Sequence, residues 1–308
     1  MAVVYLPMII RRHTMKLAII TCSKLPQGVA DDQPLLTSLN RLGIDTQMLA
    51  WDAAVDWSSF DACLLRSVWD YHERINAFNQ WLDDTAEVTR LMNPPSVVKW
   101  NQNKRYLRDL SAFGVLTVPT TWITHAQAFD LKQWSQNHPA QQTYFLKPVV
   151  GADSSGTLRF TIDDKGLQQA QQHLDQWLPK MDMMLQPYLS QVERFGETSV
   201  IYFGGQRSHA VRKIPVAGDY RVQDTFGAAD VAYQPNVAEI AQSQACLQYL
   251  EQYHPEVLYA RFDFLHDEAG HVYLNEAELI EPSLFFNHGE TAAELFAQMI
   301  LTSLSANH

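Results

Sequence analysis

A chain of 308 residues is too long for one ordinary core and suits two domains or three small lobes. Hydrophobic residues make up 46% and charged residues 19%, with no low-complexity tract or Pro/Gly-rich linker, which excludes extended disorder. The formal net charge of −11 argues against a surface built for nucleic acid or an anionic membrane, because such surfaces need clustered Lys and Arg.

Residues Met1 to Ile10 are apolar and Arg11-Arg12-His13 follow, which inverts the charge order of a secretory signal and is too short to span a bilayer. Met15-Lys16 before the strand-like Leu17 to Cys22 looks like a natural start, so residues 1–14 read as a leader extension or as one extra strand. Cys22, Cys63 and Cys246 are far apart and lack metal-ligand spacing, so they read as reduced thiols of a cytoplasmic protein.

From Leu17 to about Trp100, short apolar runs alternate with amphipathic stretches, and this alternation predicts a parallel βα domain over 15–100. Leu35, Leu36, Leu39 and Leu42 mark one helix, Ile75, Phe78, Trp81 and Leu82 another, and Asn93-Pro94-Pro95 closes the segment. The unit is Rossmann-like, but Gly28 stands alone where a dinucleotide fingerprint would need several glycines. Residues 101–189 read as an α+β lobe. Asn101 caps a helix that carries Lys104, Leu107 and Leu110 and stops at Gly114. Strands follow at Thr120 to Thr124, Tyr144 to Val149 and Leu158 to Ile162, with helices around Ala126 to Asn137 and Leu167 to Leu178. Residues 190–308 form a last lobe: a hairpin turning at Gly204-Gly205, a helix from Val237 to Tyr253, a second hairpin from Leu258 to Leu279, and a terminal helix from Thr291 to Leu304.

The most informative run is Tyr259-Ala260-Arg261-Phe262-Asp263, a turn, and then Leu274-Asn275-Glu276-Ala277-Glu278. Glu276 and Glu278, two apart on a strand, share a face, and the hairpin partner brings Asp263 beside them. Three converging carboxylates suit a hard divalent cation, with phosphate oxygens completing an octahedral magnesium; a solvated polar strand face is the other reading. A second cluster is Lys147, ending a buried strand, followed by Gly151-Ala152-Asp153-Ser154-Ser155-Gly156. A lysine and a small-residue loop suit phosphate, although a Gly/Ser turn between strands explains them as readily. Arg212, Lys213 and Arg221 concentrate positive charge around Gly218-Asp219-Tyr220, as an anionic ligand demands or as a salt-bridged hairpin would show.

Together these elements resemble the ATP-grasp superfamily near its glutathione-synthetase-like branch, over Met15 to the C-terminus. The resemblance implies an ATP-grasp fold with a Rossmann-like N-terminal domain and two α+β lobes clasping ATP. It implies that Lys104 and Lys147 contact ATP phosphates, that the Gly151, Ser154, Ser155 and Gly156 loop closes over them, and that Gln186, Tyr188 and Leu189 lie in the adenine hinge. Glu193 or Glu197 would hold ribose, and Asp263, Glu276 and Glu278 would hold Mg2+. The second acidic strand reads Glu-x-Glu here where the superfamily reads Glu-x-Asn.

The runs LRSVWDY at 65–71, SHAVRK at 208–213, GDYRVQ at 218–223 and ELIEPSLFF at 278–286 are similar to those of cycloserine-ring-forming ATP-grasp ligases. Arg66, Trp69, Asp70 and Tyr71 then become expected substrate contacts, with a structural Trp/Tyr edge pair as the competing reading. Arg221, supported by Arg212 or Lys213, would stabilise an acyl phosphate. The expected activity is ligation of a small-molecule carboxylate to an amine. Intramolecular cyclisation by the same activation and a non-catalytic ATP-binding module are the alternatives. No nucleic-acid or membrane partner is expected, and homo-oligomers are common among the enzymes resembled.

Overall fold

The computed structural model describes residues 14–125, 127–140, 142–151, 156–222 and 227–306. The leader extension, apart from residue 14, and loop residues Ser154 and Ser155 therefore lie outside the described residues.

The N-terminal region forms a parallel sheet from β1 (Lys16–Thr21), β2 (Asp45–Ala50), β3 (Ala62–Ser67) and β4 (Arg90–Met92), in the order β2-β1-β3-β4. The apolar runs of β1 and β3 are buried on both faces, as parallel strands between helix layers require. Helices α1 (Gln33–Arg41) and α2 (Ile75–Ala86) cover the sheet with the leucine and aromatic stripes read from sequence. Asn93-Pro94-Pro95 does not simply end the segment. Pro95 opens a further helix, α3 (Pro95–Asn101), at the one position where a missing N–H is harmless.

Asn101 therefore ends a helix instead of capping one. Helix α4 (Tyr106–Phe113) begins later and stops at Gly114, whose φ of 108° is the left-handed cap expected there. Lys104 sits in the short link between α3 and α4, and its N–H donates to Val149 O at 2.8 Å. The Asn101 carboxamide bridges to the last hairpin instead, donating to Ala277 O at 2.7 Å and accepting Leu279 N–H at 2.9 Å.

The central lobe is an antiparallel sheet of β5 (Thr121–Ile123), β6 (Thr143–Pro148), β7 (Leu158–Thr161) and β8 (Met183–Pro187), in the order β5-β8-β6-β7. Helices α5 (Leu131–Ser135) and α6 (Asp164–Trp177) pack on it, around a core drawn from this lobe alone. Strand β8, which carries the expected hinge, lies next to β6, which carries Lys147.

The C-terminal lobe is an antiparallel sheet of β9 (Glu197–Phe203), β10 (Gln206–Ile214), β11 (Ala229–Ala232), β12 (Tyr259–His266) and β13 (Val272–Glu278), in the order β11-β10-β9-β12-β13. Both expected hairpins form. Gly204 and Gly205 turn the first with φ values of 53° and 75°, a two-residue geometry that glycine adopts without strain. Helix α7 (Val237–Tyr253) covers one face, its first turn closed by a reciprocal Asn236–Glu239 capping box. Helix α8 (Ala292–Ser305) packs against the other face and against α1 of the N-terminal region, so Leu35, Leu39, Phe203, Phe296 and Ile300 share one core.

Candidate functional site

A cleft of about 370 Å3 opens where the three sheets meet. It is lined by Trp69 and Tyr71 from the N-terminal region, by Lys104 from the α3–α4 link, and by Phe145, Lys147 and Gly151 from β6 and its loop. Gln186, Tyr188 and Leu189 line it from β8 and beyond, Glu197 and Lys213 from β9 and β10, and Tyr220 and Arg221 from the following loop. The final hairpin contributes Arg261, Asp263, Asn275, Glu276 and Glu278, and the segment after it Glu281, Ser283 and Phe285.

On the final hairpin, Asp263 stands opposite Glu276 and Arg261 opposite Glu278, as the carboxylate argument required. The register shifts between Asp263 and Phe264, and the shift leaves Asn275 as the extra residue on β13. Asn275 and its neighbour Glu276 consequently both line the cleft, which simple alternation forbids.

The three carboxylates are not equivalent. Asp263 accepts Ser199 Oγ (2.7 Å) and Arg261 Nε (2.9 Å) on Oδ1, and Lys213 Nζ (3.0 Å) and Arg261 Nη2 (2.9 Å) on Oδ2. Burial opposes its charge, but Arg261 and Lys213 hold its pKa well below the usual carboxylate range. With both oxygens hydrogen-bonded twice, Asp263 is the anionic core of a buried network. Glu276 pairs with Lys104 Nζ at 2.9 Å, and Glu278 with Arg261. Burial and the neighbouring acids push Glu278 up to about 7 despite that arginine.

Among the described residues, no three Asp, Glu, His or Cys side chains stand close enough to hold a metal ion unaided. The donor chemistry of Glu276, Glu278 and the buried, unpartnered Asn275 Oδ1 nevertheless fits a hard cation whose remaining ligands come from phosphate and water.

Across the cleft, Lys147 is half-buried, its ammonium 5.4 Å from the Phe145 ring centroid. Among the described residues, no carboxylate oxygen lies within 4.0 Å of its Nζ. Burial pulls its pKa down and nearby Lys104 adds to the effect, with Glu276 opposing. Lys104 moves the other way, because its ion pair with Glu276 outweighs burial. Gly156, where the small-residue loop rejoins the sheet, has φ 69°. A Cβ there would sit 2.8 Å from Pro148 and 3.0 Å from the Trp177 ring, so only glycine fits this anchor.

Phe145, Tyr188 and Tyr220 group their rings at centroid distances of 4.8–6.2 Å, with Arg159 over both tyrosines. Set edge-to-face or tilted to one another, they offer an aromatic wall beside the backbone of residues 186–189. Gln186 is oriented by donating to Thr120 Oγ1 at 2.9 Å. Glu193 bonds Arg159 and the Tyr188 hydroxyl and does not line the cleft. Glu197 does line it, but its oxygens are engaged by Lys213 and by Asn275 Nδ2. Neither glutamate presents the free carboxylate expected for ribose.

Of the basic residues read around the first hairpin, Lys213 and Arg221 line the cleft and Arg212 does not. Adjacent strand residues face opposite ways, and Arg212 stacks 5.1 Å from the Phe195 ring instead. Arg221 is oriented by Asp219, with Nη2–Oδ2 at 2.7 Å and Nε–Oδ1 at 3.0 Å.

The N-terminal quartet also divides. Arg66 is 2% exposed, locked to Asp32 at 2.8 Å and to Pro282 O at 2.9 Å. Asp70 accepts Trp51 Nε1 and Arg74 Nη2, each at 2.8 Å. Both are structural ties, and only Trp69 and Tyr71 reach the cleft.

Sequence reading left Arg261, Asn275, Glu281, Phe145 and Tyr220 without a role. Arg261 had a usable signal, since it stands two residues before Asp263 on one strand and so shares its face.

Residues 17–93 match the family described as "D-cycloserine synthetase DcsG, N-terminal domain". Residues 109–252 match "Prokaryotic glutathione synthetase, ATP-grasp domain". The cycloserine biosynthesis protein DcsG of Streptomyces lavendulae is 32% identical over 284 residues, covering 89% of this chain and 94% of the relative. The crystal structure of D-cycloserine synthetase DcsG superposes with a TM-score of 0.84 at 29% identity, over 94% of this chain and 99% of that one. D-alanyl-alanine synthetase A from Vibrio cholerae shares the fold alone, with a TM-score of 0.65 at 14% identity over 96% and 100%. A cleft lined by lysines on one wall and acids on the other, in a chain that matches these enzymes over nearly its whole length, places the protein in the ATP-grasp superfamily, in its glutathione-synthetase-like branch, as a carboxylate–amine ligase.

Proposed function

We propose that this ligase uses ATP and Mg2+ to activate a small-molecule carboxylate as an acyl phosphate, which an amine then attacks. The observation that carries the reading is the pair of cleft lysines: Lys147 is half-buried and has no carboxylate partner among the described residues, and Lys104 is held beside it by Glu276. A half-buried cation without a counter-ion is costly, and nucleotide phosphate supplies the missing charge. The rings of Phe145, Tyr188 and Tyr220 and the backbone at 186–189 take adenine, and the loop beginning at Gly151 covers the phosphates.

Glu276 and Glu278, with Asn275 Oδ1 nearby, would hold a magnesium ion together with phosphate oxygens. When bound, the ion spreads the negative charge of the transferring phosphoryl group. A substrate carboxylate oxygen attacks the γ-phosphorus and ADP departs; the amine attacks the acyl carbon, and phosphate leaves with the oxygen that bridged them. Lys213 and Arg221, the second oriented by Asp219, stabilise charge on the acyl phosphate and its tetrahedral successor. In this reading 15–100 is the substrate-side domain, 101–189 the nucleotide lobe and 190–308 the metal-bearing lobe.

A second reading is favoured by the match to DcsG across both of its parts: the carboxylate and the amine belong to one molecule, and the product is a ring. Among the described residues, no helix is long and apolar enough to cross a membrane, and the three buried cysteines are free, which supports a place in the cytoplasm. The test is ADP release by purified protein with ATP, magnesium and amino acids, singly and in pairs, including O-ureidoserine alone. Release that needs a pair supports ligation and release with O-ureidoserine alone supports cyclisation. ATP binding without any substrate-dependent release would leave only a nucleotide-binding module.

A further inference from the structure

Trp69, Tyr71 and Glu281 line one side of the cleft, while Lys104, Lys213 and Arg221 are matched by Glu276, Glu197, Asp263 and Asp219. Among the described residues, the Glu281 carboxylate has no hydrogen bond or ion pair, and its oxygens are not sealed in, since neither counts among the buried unpartnered atoms. Its backbone is pinned nonetheless. Trp69 Nε1 donates to Glu281 O at 3.2 Å, and Arg66 Nη2 to the next carbonyl, Pro282 O, at 2.9 Å. Tyr71 lines the same cleft as Glu281.

A half-buried carboxylate that lines a cleft together with two aromatic side chains suits an organic cation: the acid offers charge and hydrogen bonding, and the aromatics an apolar flank. We infer that Glu281 is a specificity-determining residue that binds the ammonium group of an amino-acid substrate, with Trp69 and Tyr71 completing the subsite. The inference rests on the proposed function, because it assigns that substrate's amine to the side of the cleft that Trp69 and Tyr71 line. The carboxylate to be activated then points toward Lys104 and Arg261, and a simple carboxylic acid lacks the anchor. Arg66, too deeply buried to meet substrate, acts by holding the segment that presents Glu281.

The test is equilibrium binding, by calorimetry in the presence of ADP and magnesium. The probes are both enantiomers of alanine and serine, with propionate and 3-hydroxypropionate as partners that keep the carboxylate and lack the amine. Wild-type protein should bind at least one amino acid about tenfold or more tighter than its des-amino partner. In Glu281→Gln that ratio should fall to within about twofold while ADP affinity is unchanged, and Glu281→Asp should restore part of the preference. Equal binding of both members of every pair by wild-type protein, no binding of any amino acid, or a preference that survives in Glu281→Gln would overturn the assignment. Because the readout is binding, a preference without ADP release would sink the proposed function and leave the subsite standing.

Discussion

On the C-terminal wall of the cleft, Asp263, Arg261, Lys213, Glu197 and Ser199 form a closed network, all less than 10% exposed, in which each charge meets its opposite. On the central wall, Lys147 is half-buried and among the described residues meets no carboxylate, and the loop that follows rests on a glycine wedged against Pro148 and Trp177. The first wall is organised before any ligand arrives, with the cost of burying its charges met within the fold. The second is left incomplete, and the nucleotide supplies what it lacks. Their cores repeat the contrast: the C-terminal sheet shares one with the N-terminal domain through α1 and α8, and the central lobe keeps its own.

That contrast can be broken most sharply at Asp263. Asp263→Asn strands Arg261 and Lys213 together in a dry site, and the expected loss is about 3–5 kcal/mol of stability along with all activity. A thermal or urea melt reads it, and a variant as stable as wild type would show the network to be dispensable. At Lys147 the expectation reverses: Lys147→Met should lower substrate-dependent ADP release by about 100-fold or more while leaving the melting temperature unchanged or raised, since an unpaired half-buried charge is removed. A parallel loss of stability and activity would place Lys147 in the structural network instead.

The smallest effect is expected within the nucleotide lobe, where Asp182 binds Arg105 Nη2 at 2.7 Å and His125 N–H at 2.9 Å. Burial works against the Asp182 charge, but these donors lower its pKa from 3.8 to about 2. A depressed carboxylate stabilises the fold above its unfolded pKa and ceases to do so as pH falls through the folded value. Asp182→Asn should therefore be less stable than wild type by about 2 kcal/mol at neutral pH, and the gap should close between about pH 4 and pH 2. A gap that did not depend on pH would assign the loss to packing.

How much of this was legible in the sequence follows from the same physics. Strand alternation placed Glu276 and Glu278 on one face, and the apolar alternation of residues 17–100 gave the parallel domain, because both rest on local periodicity. The extra residue at Asn275 was not legible, since a register shift is set by the partner strand. Arg212 and Lys213 look alike in sequence, and one residue of strand phase sends the first to Phe195 and the second to Asp263. Arg66 and Asp70 carried the charges of a binding site but found Asp32 and Arg74, partners that only the tertiary fold brings close. Glu281 went unassigned because its significance lies in having no partner among the described residues.

The central claim is that a substrate carboxylate is phosphorylated before the amine arrives, and isotope transfer tests it directly. An amino acid that supports ADP release is labelled with oxygen-18 at both carboxylate oxygens and turned over with ATP, and the released phosphate is analysed by mass spectrometry. The account predicts one labelled oxygen in each phosphate formed, with the other retained in the product carbonyl. Phosphate free of label, at full product yield, would contradict it.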